Sequence, residues 1–92
     1  MIHTFRSRAL KRFWIKDDTS GLPPALSLRI GMILDRLDAA AVPGDLNLPG
    51  LDFHPLKGTS KGRYAVRVSA NYRITFGWKA GDAIDVDYED YH

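Results

Sequence analysis

Along this chain the spacing of the apolar residues changes from a helical period to an alternating one. In residues 26–37 the apolar side chains recur every three or four positions, which is the period of one helix face. From residue 64 onward apolar and polar side chains alternate, which is the period of a strand with one buried face. Helices followed by strands favour a small α+β fold.

Two helices are predicted in the first half of the chain. Ser7 is a suitable N-cap for a short first helix. Pro23 and Pro24 suit the first turn of a second helix, which we expect to end near Ala41. The expected apolar faces consist of Leu10, Phe13 and Trp14 in the first helix and of Leu26, Ile30, Ile33, Leu34 and Leu37 in the second.

Four short strands are predicted around these helices. They cover Ile2–Phe5, Tyr64–Val68, Tyr72–Phe76 and Ala83–Tyr88. Because the links between the last three are short, those strands should form an antiparallel meander. The predicted fold is therefore α+β, a small antiparallel sheet with two N-terminal helices packed on one face, in a single domain over 1–92.

Length and composition exclude several classes of protein. A chain of 92 residues has room for one domain, and 45% hydrophobic residues suffice for a core. The absence of cysteine removes disulfides and thiolate chemistry. No apolar run approaches the ~20 residues of a membrane helix, and the basic start does not resemble a secretion signal. We expect a cytoplasmic protein that makes no use of a membrane.

Basic residues are segregated from acidic ones, although the net charge is only +2. No acid interrupts residues 6–16 or 53–81, whereas acids crowd residues 82–90. Such segregation indicates a polyanionic partner, most simply a nucleic acid, with an ordinary solvated surface as the alternative. The residues we expect to bind RNA or the ribosome are Arg6, Arg8, Lys11, Arg12, Lys61, Arg63 and Arg67.

Three places could carry chemistry. Strand alternation predicts that the Arg73 side chain points to the sheet face opposite the helices. There it could bind a phosphate, or it could be an ordinary exposed residue. Pro55 keeps His54 extended, where it and Lys57 could face an anion, although a lone histidine is more often structural. The chain ends with Asp90, Tyr91 and His92, which form either a site or a frayed terminus. No HExxH motif, phosphate loop or nucleophile elbow is present.

The chain resembles HigB toxins of the RelE/ParE superfamily over essentially its whole length. The resemblance lies in four segments taken together. They are IHTFR at 2–6, LDFHPLKG at 51–58, NYRITF at 71–76 and YEDYH at 88–92. It implies a microbial-ribonuclease-like sheet and cleavage of messenger RNA in the A site of the 70S ribosome. It also implies a helix-turn-helix (HigA-like) antitoxin, through which alone the toxin would reach operator DNA.

The resemblance also implies an active site. Its catalytic residues would be His54, Lys57, Arg73, Asp90, Tyr91 and His92. Attack of the RNA 2′-hydroxyl on the adjacent phosphate needs proton transfer and charge stabilisation, so no metal or other cofactor is expected. Histidine or Asp90 would move protons, Lys57 and Arg73 would neutralise the phosphorane, and Tyr91 would stack on a base. The sequence leaves open which group is the acid and which the base.

Two other functions remain open at this point. Some members of the superfamily inhibit DNA gyrase without cutting RNA, and the chain-terminal Tyr91–His92 pair favours the nuclease branch instead. A plain nucleic-acid-binding domain would show salt-sensitive RNA binding without either effect.

Overall fold

The computed structural model describes residues 1–90, so Tyr91 and His92 lie outside the described residues. Within this range two helices precede a four-stranded sheet. The helices are α1 (Arg8–Lys16) and α2 (Ser27–Ala39), and the strands are β1 (His54–Pro55), β2 (Arg63–Arg67), β3 (Tyr72–Lys79) and β4 (Asp82–Asp90). Short 3₁₀ turns cover Pro24–Leu26, Pro43–Leu46 and Gly58–Ser60.

The sheet has the order β1-β2-β3-β4, with every neighbouring pair antiparallel. This confirms the predicted α+β fold and the meander of the last three strands. Strand β1 was not predicted, because a strand of two residues that includes Pro55 shows no alternation of apolar and polar side chains. The predicted first strand consists instead of two isolated parallel bridges, from Ile2 to Ala83 and from Phe5 to Val86.

Both helices pack on the same face of the sheet. The side chains of Leu10 from α1, Ile33 from α2, and Ile74 and Phe76 from β3 all belong to one buried cluster. Burial of each such side chain contributes about 1.5–3 kcal/mol, so this shared core is what holds the layers together. Leu26 differs from the prediction, since it lies in the preceding 3₁₀ turn and stays half-buried.

The ends of α1 follow the expected chemistry. The hydroxyl of Ser7 accepts a hydrogen bond from the backbone N–H of Leu10, as an N-cap does. Asp17 ends the helix in the left-handed conformation, and its N–H bonds back to Arg12 and Phe13. The outer face of the helix carries the exposed side chains of Arg8, Lys11 and Arg12. Across residues 1–90, neither α1 nor the longer α2 has the length and apolar character to cross a membrane.

A bulge in β4 decides which face of the sheet residues 86–90 occupy. The pairing of β3 with β4 shifts between Thr75 and Gly77, and Asp85 has a positive φ of 50° at this point. Ala83 and Val86 therefore both reach the core although three positions separate them. Beyond the bulge the strand continues to Asp90, two residues further than the predicted end at Tyr88.

Candidate functional site

The sheet face opposite the helices, here called the open face, carries the polar side chains of three strands. Residues paired directly across an antiparallel ladder point to the same face. The pairs Arg67–Arg73, Arg73–Glu89, Ala65–Thr75 and Thr75–Asp87 therefore share this face, and the pair His54–Ala65 adds the histidine of β1.

The middle of the open face is shallow and built of small residues. Ala65 and Thr75 are fully buried although they point away from the helices. The side chains of Arg63 and Glu89 both contact the Thr75 hydroxyl. Gly77 continues this floor: a Cβ placed there would lie 3.2 Å from Cγ1 of Ile84 and 3.7 Å from Nη1 of Arg63. Small residues therefore leave room for guanidinium groups to lie flat on the sheet.

Arg73 and Glu89 form an ion pair at the β3–β4 register. Nη2 of the arginine lies 3.1 Å from Oε1 of the glutamate, and the two side chains are 23% and 29% exposed. A guanidinium that is partly shielded from water binds phosphate more strongly than a fully exposed one, because water screens it less. The register of β3 with its two neighbours confirms the predicted position of Arg73 on the open face.

A second arginine reaches the same carboxylate through a hydroxyl. Nη2 of Arg63 donates to Oγ1 of Thr75 at 3.0 Å and to the backbone carbonyl of Asp85 at 2.8 Å. The Thr75 hydroxyl in turn donates to Oε2 of Glu89. These bonds give a directed chain, Arg63 to Thr75 to Glu89, that spans β2, β3 and β4.

Burial, neighbouring charges and hydrogen bonds shift the pKa values of Arg63 and Glu89. Burial, together with the nearby charge of Arg6, lowers the pKa of Arg63. Burial raises the pKa of Glu89, but hydrogen bonds from Thr75 and Arg73 and the charges of Arg73 and Arg63 outweigh it, so the pKa is lowered. Glu89 is therefore ionised at neutral pH and lies among the positive charges of Arg73 and Arg63.

His54 has a fixed orientation at the edge of this face. Its Nδ1 lies 2.8 Å from the backbone carbonyl of Asp52, which can only accept, so Nδ1 carries the proton. In the neutral ring Nε2 then holds the lone pair. The side chains of His54 and Arg67 line a shallow depression together with Asp52 and Ala70.

Arg29 of α2 stabilises the edge of the sheet near His54 through two hydrogen bonds. Its Nη2 donates to the carbonyl of Gly50 at 2.7 Å and to that of Arg67 at 2.9 Å. These two bonds tie the segment before His54 to the end of β2. This role could not be predicted from the sequence, because Arg29 lies off the apolar stripe of its helix.

The structure separates the predicted site residues into groups. Lys57 and Lys61 are exposed on the segment between β1 and β2, and Arg67 is exposed on the open face itself. Arg63 is half-buried and engaged within that face. The resemblance groups Asp90 with Arg73 in one active site. The register instead pairs Asp90 with Tyr72, so the Asp90 side chain alternates to the side of β4 opposite Arg73. The predicted roles of Tyr91 and His92 fall outside the described residues.

The predicted RNA-binding residues likewise do not form one surface. Arg6 lies close enough to Arg63 to lower the pKa of that side chain, at the open face. Arg8, Lys11 and Arg12 belong to the outer face of α1, which packs on the opposite side of the sheet. The basic residues therefore form two separate surfaces.

Glu89 and Thr75 were not among the predicted site residues. The sequence did contain a signal for Glu89, because alternation from the inward-facing Tyr88 places the next residue outward. No comparable signal exists for Thr75, whose burial depends on side chains from neighbouring strands.

Fold and site together define a small α+β protein with helices on one sheet face and arginines on the other. Two solved structures from Helicobacter pylori share this fold, the conserved hypothetical protein HP0894 and a copper-bound mutant toxin. Each is 13% identical in sequence with a TM-score of 0.55, and each alignment covers 99% of this chain and 96% of the other.

The chain belongs to the HigB family, described as the RelE-like toxin of a type II toxin-antitoxin system, with residues 3–92 matched. It is 42% identical over 92 residues to the endoribonuclease HigB of Proteus vulgaris, with both chains fully covered. It is also 34% identical over 90 residues to toxin HigB-1 of Vibrio cholerae, covering 96% of this chain and 94% of the relative. The protein is thus a toxin that pairs with an antitoxin, and the resemblance seen in the sequence is confirmed.

Proposed function

We propose that this endoribonuclease toxin cuts messenger RNA in the ribosomal A site. The observation that carries the proposal is the arginine-bearing open face in a chain related over its full length to a HigB endoribonuclease. A helix-turn-helix antitoxin would hold the toxin inactive, and toxin and target would meet in the cytoplasm.

The chemistry would use the RNA's own 2′-hydroxyl as nucleophile. The enzyme must remove the proton of that hydroxyl, stabilise the added charge on phosphorus and protonate the leaving 5′-oxygen. Nε2 of His54 is suited to the first task, because its lone pair is available when Nδ1 donates to Asp52. His92 would complete the proton transfers.

Arg73 would stabilise the phosphorane. It is held on the open face, and its planar guanidinium can donate two parallel hydrogen bonds to phosphate oxygens. Lys57 is exposed on the segment between β1 and β2 and would supply a second positive charge. Tyr91 would stack on a base or position the backbone of the message.

Dependence on the ribosome is supported by where the aromatic side chains lie. All nine aromatic residues within 1–90 pack in or against the core, so in this range the open face has no platform for base stacking. Proteins that hold extended single strands by themselves usually stack several bases. The ribosome would therefore present the message, and the exposed residues of α1 would contact ribosomal RNA from the other basic surface.

A translation assay tests this function. Purified toxin is added to labelled message with and without programmed ribosomes, and plasmid supercoiling by gyrase is measured in parallel. We expect cuts at codon positions on ribosomes and little cleavage of naked message. Equal cleavage of naked message would contradict the dependence on the ribosome. Intact message together with inhibited gyrase would contradict the proposed ribonuclease function and support gyrase inhibition.

A further inference from the structure

The carboxylate of Glu89 occupies an unusual place for a protein that must bind a polyanion. It lies on the open face between two arginines, where a negative charge weakens the attraction for phosphate. Loss of the carboxylate would make the surface more positive. Its position therefore needs an explanation other than binding affinity.

Geometry provides that explanation. Oε1 of Glu89 accepts from Nη2 of Arg73, and Oε2 accepts from the hydroxyl of Thr75. Thr75 is fully buried and is itself fixed by the hydrogen bond from Arg63. The carboxylate is thus held at both oxygens, and it can hold the guanidinium of Arg73 in one orientation.

We propose that Glu89 is a positioning residue for the cleavage reaction, held by Thr75 and Arg63 so that the guanidinium of Arg73 meets the scissile phosphate in a fixed orientation. This inference rests on the proposed ribonuclease function. Glu89 would not touch the RNA. It would act through Arg73, whose orientation matters most when charge develops on the phosphorus.

The proposal predicts opposite effects on binding and on rate. Glu89→Gln removes one negative charge beside Arg73 and weakens the bond that orients it. KM for message on programmed ribosomes should fall, because the surface becomes more positive. At the same time kcat should fall by about 10- to 100-fold, since misplacing a reacting group by about 1 Å costs up to ~10² in rate.

Asp87→Asn is the matched control. Asp87 lies on the same strand and the same face, opposite Thr75, and its carboxylate accepts a hydrogen bond from the N–H of Tyr88. The substitution removes the same charge without touching Arg73. Asp87→Asn should lower KM but leave kcat unchanged. An equal loss of kcat in Glu89→Gln and Asp87→Asn would show that only net charge matters and would overturn the proposal.

Thr75 provides a second test if Glu89→Gln does not fold. Thr75→Val keeps the shape but removes the hydroxyl that fixes Glu89, and Thr75→Ser restores it. We expect Thr75→Val to lower kcat and Thr75→Ser to recover most of it. Wild-type kcat in both Glu89→Gln and Thr75→Val would overturn the positioning role alone, whereas a wild-type toxin that cuts no message would overturn the proposed function itself.

Discussion

Arg73 and Glu89 face each other across β3 and β4, with Nη2 of the arginine 3.1 Å from Oε1 of the glutamate. The pair lies outside the hydrophobic core, on the sheet face that no helix covers. Because of this position, changes at the pair should affect chemistry more than folding.

Arg73→Ala should lower single-turnover cleavage of message on ribosomes by ~10² to 10³, the usual effect of losing one charge partner of a transition state. The melting temperature should change little, because the core residues beneath β3 are unaltered. Arg73→Lys is the control, since it keeps the charge but lacks the planar fork, and it should recover only part of the rate. A large drop in melting temperature with normal cleavage by the folded fraction would assign Arg73 to structure instead.

Glu89 should make the stability of the protein depend on acid pH. Its pKa in the folded state is lowered below the ordinary value of 4.5. Its ionised form therefore stabilises the fold above that value, and the contribution is lost as the pH falls through the lowered pKa. Urea denaturation between about pH 6 and pH 2.5 should show a smaller acid-side loss of unfolding free energy for Glu89→Gln. Identical profiles for the variant and the wild type would contradict the ion pair.

Lys61 should contribute to RNA binding through charge alone. It is exposed in the loop between β1 and β2, two residues before Arg63 in the chain. Lys61→Ala should weaken binding to ribosomes and reduce the slope of log K against log salt by ~0.7 to 0.9, the value for one phosphate contact. Lys79→Ala is the control, because Lys79 is equally exposed at the far end of β3. Equal slopes in Lys61→Ala and the wild type would place Lys61 away from RNA.

Arg63 should behave differently from Lys61. It is half-buried and joins Thr75 to the carbonyl of Asp85, so Arg63→Ala leaves two polar groups without their donor. We expect a loss of stability of about 1–3 kcal/mol, together with weaker cleavage. Thermal and urea unfolding of this variant would measure the effect, and an unchanged unfolding free energy would contradict a structural role for Arg63.

His92 should be required for cleavage but not for folding. His92→Gln keeps the terminus and some hydrogen bonding, but it cannot transfer a proton near neutral pH. The expected loss of rate is ~10² to 10⁴, the range for general acid–base groups. Antitoxin and ribosome binding should be retained. Growth arrest at wild-type level by this variant would exclude His92 from catalysis.

Parts of the site could be predicted because they depend only on local alternation. Arg73 lies between the inward-facing Tyr72 and Ile74, so its outward direction follows from the strand period. His54 is held extended by Pro55, and the structure places it in a short strand. The same alternation was available for Glu89, and extending the last strand beyond Tyr88 would have found it.

The sequence by itself determined that two helices precede an antiparallel meander, and it determined most of the apolar faces of the helices, because these follow from periods of two and 3.6 and from short links. It also determined the family, through motifs spread along the chain. Only the tertiary structure decided which side chains meet. The bulge at Asp85 and the register of β4 set Glu89 opposite Arg73 and turned Asp90 away, since a shift of one residue exchanges the two faces of a strand. Pairing between strands depends on the whole packed sheet, and no local pattern in β4 specifies it.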